Sequence, residues 1–187
     1  MSKASPFPKD VLLQRLKHEM KDLVENVKHD VFISVGGGKW IHIDMEAIEG
    51  LSDLPIWLYV RMKDIPGPVQ IKGGGVRHRY NHELMIKITA RYPFEKPVVR
   101  WQSKIFHPNI MPPEEGGLVC TKLLDNWGFR STLVEFITGL ELLLIHPNPK
   151  NPYGTETCTL AAQYFNTHKY TPPMILKEEK KRPEIRS

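Results

Sequence analysis

Two runs of strict alternation, lying close together between helical stretches, constrain this chain most. In "PIWLYVRM", Ile56, Leu58, Val60 and Met62 alternate with Trp57, Tyr59 and Arg61. In "HELMIKITA", Leu84, Ile86 and Ile88 alternate with Met85, Lys87 and Thr89. A period of two predicts strands with one buried face, as in an antiparallel sheet covered on one side. Upstream, "DVFISV" and "WIHIDM" flank "GGGK" and read as a hairpin around a glycine turn. That glycine run lacks the spacing of a phosphate-binding loop. Downstream, "PVVRWQ" reads as a further short strand. The segment "DIPGPVQIKGGGVRHRYN" between the two alternating runs is rich in turn residues and is expected to be a long connection.

Helices bracket these strands. Leu12, Leu16, Met20, Leu23, Val24 and Val27 recur at helical spacing and predict one apolar stripe, with Arg15, Lys17, His18 and Lys21 on the other faces. Thr132 and Glu135 have the spacing of a capping box, and Leu133, Phe136, Ile137, Leu140, Leu143 and Leu144 follow as a buried stripe. "HPNPKNP" ends that helix, because proline cannot continue it. A third helix is expected from Thr155 to Lys169, burying Leu160, Ala161, Tyr164 and Phe165. Strands grouped between helices, rather than alternating with them, indicate an α+β fold. With 187 residues, one domain is expected over 1–170, followed by a tail over 171–187.

Composition narrows the function. No apolar run is long enough to span a bilayer, and "MSKASPFPKD" lacks the apolar core of a secretory signal. Two cysteines without CxxC spacing point to neither a disulfide scaffold nor a zinc site, so a cytoplasmic setting and no metal are expected. The net charge of +5 is that of a mildly basic surface. The strands carry no aromatic RNA-binding signature, and no nucleic-acid partner is expected.

Chemistry concentrates in "IFHPNIMPPEEGGLVCTKLLDNW", where prolines and glycines exclude a helix and Cys120 closes a loop. A thiolate attacking a carbonyl creates an oxyanion, which needs hydrogen-bond donors. Asn109 and the backbone N–H groups around Gly116 and Gly117 are the candidates. His107, directly before Pro108, is expected to hydrogen-bond a backbone carbonyl and stiffen the turn rather than act as a base. Acyl exchange between thiols needs no strong base, since a few per cent of ordinary cysteine is thiolate at neutral pH (roughly, from a pKa near 8.5). Cys158, in the third helix, reads as a small buried hydrophobe.

The ordered combination "YPFEKPVV", "IFHPNI", "GGLVC", Trp127, the capped helix and "HPNPKNP" resembles the ubiquitin-conjugating enzymes. The resemblance implies their fold: an N-terminal helix, an antiparallel meander of about four strands, a central helix and a C-terminal helix. It implies that Cys120 accepts ubiquitin or a ubiquitin-like protein from an activating enzyme as a thioester. A RING-type ligase then assists transfer to a lysine, and no cofactor is needed. Asn109 would stabilise the oxyanion or hold the loop, and Asn151 would meet the incoming amine where many members carry an acidic residue. Phe94, Phe129 and Arg130 fall on the ligase surface, and Arg15 and His18 on the helical surface shared by the activating enzyme and the ligase. His107, Pro108 and Trp127 would be structural.

The chain departs from the family pattern in several places. "IMPPEEGGLV" is longer than usual by about three residues, the segment from Cys120 to Trp127 is shorter by about one, and the family's fourth helix is expected to be absent or replaced by the tail. These differences suggest a distant branch, of the kind a prokaryotic ubiquitin-like system would use. A non-catalytic ubiquitin-binding variant of the fold is the alternative, and Cys120 argues against it.

Overall fold

In the computed structural model, which describes residues 7–120 and 126–173, alternation becomes register. The strand β1 (Asp30–Val35) is followed by the short β2 (Ile41–His42), and β3 (Ile56–Met62) pairs antiparallel with β1. Among the described residues, β4 (Gly67–Gln70) and β5 (Val76–Arg79) pair only with each other. β6 (His82–Ile88) and β7 (Val98–Trp101) complete an antiparallel sheet in the order β2-β1-β3-β6-β7. Leu58 sits opposite Ile86, and Val60 opposite Leu84, so the apolar sets of both alternating runs share one face. Every one of those residues is buried, while Trp57, Tyr59, Met85 and Lys87 on the other face are half-exposed.

Two helices cover the buried face. α1 (Lys9–Asn26) contributes Leu12, Leu16, Met20 and Leu23, and α3 (Leu133–Ile145) contributes its whole predicted stripe. Burying each such side chain is worth about 1.5–3 kcal/mol relative to exposure, so these contacts dominate the stability of the fold. The capping box forms: the Thr132 side chain accepts from Glu135 N–H, and the Glu135 side chain accepts from Thr132 N–H. α4 (Glu156–Thr167) stands apart on a smaller core, in which Phe106, Ala161 and Phe165 meet Val76, Tyr164 and Tyr170.

Several expectations are corrected. Val24 is exposed on α1, and its place in the core is taken by Leu13 and by Glu19, whose carboxylate has partners inside. The second arm of the glycine hairpin is only two residues long, because Asp44 caps a short helix, α2 (Met45–Glu49), by accepting from Ala47 N–H. The long connection contains the β4–β5 hairpin, which turns at Gly73 and Gly74, both with positive φ. In α4, Leu160 is exposed and Tyr164 half-buried, while Cys158 and Ala162 turn inward. Among the described residues no helix is long and apolar enough to cross a membrane. Residues 121–125 and most of the expected tail, 174–187, lie outside the described residues.

Candidate active site

A buried turn at residues 107–110 organises the site. His107 is fully buried, with Nε2 donating to Leu143 O at the end of α3 (3.0 Å) and Nδ1 accepting from Asn109 N–H (3.0 Å). Those partners fix the neutral tautomer, and burial pushes the ring's pKa down to about 3. Both nitrogens are engaged, so His107 offers no base to a thiol. The carbonyl of Pro108 accepts from Tyr153 N–H at 2.9 Å. Asn109 donates from Nδ2 to Asn148 O (3.1 Å) and to Asn151 O (3.0 Å), and its Oδ1 accepts from Asn148 N–H (2.7 Å). The sequence "HPN" thus ties the loop to the end of α3 and to the segment that leads into α4.

The stretch before Cys120 is docked against the body of the fold. Pro113–Glu115 form a 3-10 turn, closed by Gly116 N–H to Pro113 O and Gly117 N–H to Pro112 O. Gly117 has φ +63, and a Cβ there would lie 2.4 Å from Trp101 O, so only glycine permits this approach to β7. Trp101 N–H donates to Gly117 O at 2.7 Å. Glu115 Oε1 accepts from Thr157 N–H at 2.9 Å, capping the first turn of α4. Val119 bridges to Ile110, and Cys120 N–H donates to Asn109 O at 2.8 Å. Cys120 ends this frame half-exposed, whereas Cys158 is buried, with its thiol 3.6 Å from Ile110 O.

The remaining candidates fall elsewhere. Asn151 is exposed, and the bond to Asn109 uses its backbone carbonyl rather than its side chain. Trp127 Nε1 donates to Pro93 O (2.6 Å), and its ring packs edge-on to Phe136. Phe94 and Phe129 are each about half exposed, and their centroids are 6.0 Å apart. Phe7, not singled out from the sequence, packs against both. Arg15 joins that cluster, with its guanidinium 5.0 Å from the Phe129 centroid. Arg15 also pairs with Glu19 at 2.7 Å and donates to Ser131 O at 3.0 Å. Arg130 is exposed. His18 is not part of the cluster; it lies exposed farther along α1, near Asp22. Sequence reasoning also missed Tyr153 and Glu115; the signal for Tyr153 was its place directly after "HPNPKNP".

Comparisons with known proteins agree with this geometry. The family model "Ubiquitin-conjugating enzyme" matches residues 61–171. The chain is 35% identical over 82 residues to ubiquitin conjugating enzyme E2 B of Dictyostelium discoideum, covering 44% of this chain and 51% of that protein. It is 33% identical over 103 residues to ubiquitin-conjugating enzyme E2 T of Danio rerio, covering 52% and 48%. The chain thus spans about half the length of the curated relatives it matches. Among solved structures, S. cerevisiae Ubc12 aligns with a TM-score of 0.55 at 25% identity, covering 83% of this chain and 71% of that one. With the family match extending over more than half of the sequence, on a fold and loop of this form, the chain belongs to the ubiquitin-conjugating enzyme family.

Proposed function

We propose that this protein carries ubiquitin or a ubiquitin-like protein as a thioester on Cys120 and passes it to a lysine. The Cys120 sulfur attacks the carbonyl carbon of a modifier held on the thiol of an activating enzyme, and that thiol leaves. A lysine amine then attacks the new thioester, an amide bond forms, and the Cys120 thiolate leaves. The observation that carries this reading is a half-exposed thiol at the end of a loop whose hydrogen bonds fix it from both sides. Residues 1–170 form the catalytic core in this reading, with 171–187 beyond it, working in a reducing cytoplasm where a free thiol persists. The exposed side chain of Asn151 accepts a hydrogen bond from the incoming amine. The cluster of Phe7, Phe94, Phe129 and Arg15, with Arg130 and His18 nearby in sequence, supplies aromatic and arginine anchors for an activating enzyme and a RING-type ligase.

The test is incubation with an activating enzyme, its modifier and ATP, followed by electrophoresis with and without reductant. A reductant-sensitive adduct is expected from the wild type and from Cys158→Ala, and none from Cys120→Ala. An adduct on Cys120→Ala would overturn the assignment.

A further inference from the structure

Acyl transfer from Cys120 passes through a tetrahedral oxyanion, and the donors nominated from the sequence are all engaged elsewhere. Both Asn109 amide protons face the carbonyls of Asn148 and Asn151. The N–H groups of Gly116 and Gly117 close the 3-10 turn onto Pro113 and Pro112. The N–H of Cys120 itself is bonded to Asn109 O.

Tyr153 differs. Its N–H donates to Pro108 O at 2.9 Å, while Cys120 N–H donates to the next carbonyl along, Asn109 O, at 2.8 Å. Two consecutive carbonyls of one buried turn therefore anchor the backbones of Tyr153 and Cys120. The far side of Tyr153 is braced as well, because Glu115 fixes Thr157 at the start of α4. The phenol is half-buried, and burial, followed by the electrostatic influence of both Cys120 and Cys158, pushes its pKa above the ordinary tyrosine value. The hydroxyl is accordingly protonated at neutral pH, and no hydrogen bond among the described residues engages it.

Resting on the thioester reading above, we propose that the Tyr153 hydroxyl is the hydrogen-bond donor to the oxyanion when Cys120 discharges to lysine. The amine lone pair forms the C–N bond to the thioester carbonyl carbon, and the carbonyl π pair moves onto oxygen. The Tyr153 O–H bonds that oxygen without giving up its proton. The pair then returns, the C–S bond breaks, the Cys120 thiolate leaves, and the ammonium proton passes to water. A neutral donor suits this site, because it stabilises the developing charge without binding a lysine cation in the ground state.

The experiment is single-turnover discharge of the full chain, comparing wild type with Tyr153→Phe, which removes only the hydroxyl. Each is charged to completion, the activating step is quenched, and lysine is added over a concentration series. Loss of one oxyanion donor predicts a maximal rate lower by about 10²-fold, with the half-saturating lysine concentration and the melting temperature unchanged. Discharge of Tyr153→Phe at the wild-type rate overturns the donor role and leaves the thioester reading standing. A shift confined to the half-saturating concentration also overturns it, in favour of lysine binding. A wild-type chain that forms no reductant-sensitive adduct overturns the reading beneath and the donor role with it.

Discussion

At the scale of single residues, Asn109 has two chemically reasonable roles, and its burial sets the terms on which they can be told apart. A primary amide has two N–H donors and one acceptor oxygen, and all three groups are engaged by Asn148 and Asn151 in the segment before α4. It is also almost completely buried, so reaching an oxyanion would mean abandoning buried carbonyls. Asn109→Ala leaves Asn148 N–H and two carbonyls without partners. At about 1 kcal/mol per net hydrogen bond, the expected loss of stability is roughly 2–4 kcal/mol. Under the proposed thioester reading the same loop presents Cys120 in both steps, so charging and discharge should slow together. Denaturation and two single-turnover assays measure this. Selective slowing of discharge in a variant of unchanged stability would instead restore Asn109 as the oxyanion donor.

At the scale of elements, α4 shows a cap supplied from outside its own strand of sequence. Its N-cap residue, Thr155, makes no side-chain hydrogen bond to the helix, and Glu115 from the extended loop supplies the acceptor instead. A carboxylate there also complements the positive end of the helix. Glu115→Ala should cost about 1 kcal/mol in denaturant unfolding, and Glu115→Gln, which keeps an acceptor oxygen, clearly less. Equal stability of all three proteins would mean that the contact contributes nothing. Elements whose signals are local were legible in the sequence: the alternation of β3 and β6, the capping box of α3 and its stripe. β4 and β5 were not, because their prolines and glycines read as turns and the two strands pair with each other outside the main sheet. Likewise the partial exposure of Cys120 was legible from its place after a glycine-rich loop, whereas the engagement of Asn109, Gly116 and Gly117 was not. Sequence names the donors, but only the folded chain decides which remain available.

At the scale of the whole molecule, two buried histidines sit where the layers join. His107 bonds the end of α3 from the site loop. His82, at the start of β6, lies against Trp101 of β7, with Nε2 at 2.8 Å from Arg79 O. A Cβ on Gly67 would strike both the His82 ring and Leu144 of α3, so glycine lets the β4–β5 hairpin close over this seam. Burial pushes His82 down to about 4 and His107 down to about 3, so both rings are neutral in the folded protein. In the unfolded chain each would titrate near 6.5. A depressed folded pKa gives stability that is fully present above the unfolded value and is lost as pH falls towards the folded one. Between about pH 6 and 5, where carboxylates remain largely ionised, each ring should lower the unfolding free energy by about 1.4 kcal/mol per pH unit. The check is urea unfolding at several pH values in that window, for wild type and His82→Phe. The variant should start less stable, because Phe cannot bond Arg79 O, yet its slope against pH should be shallower by the share of one histidine. Identical slopes would mean that His82 protonates as readily in the folded protein as in the unfolded chain, and that this seam does not hold the ring neutral.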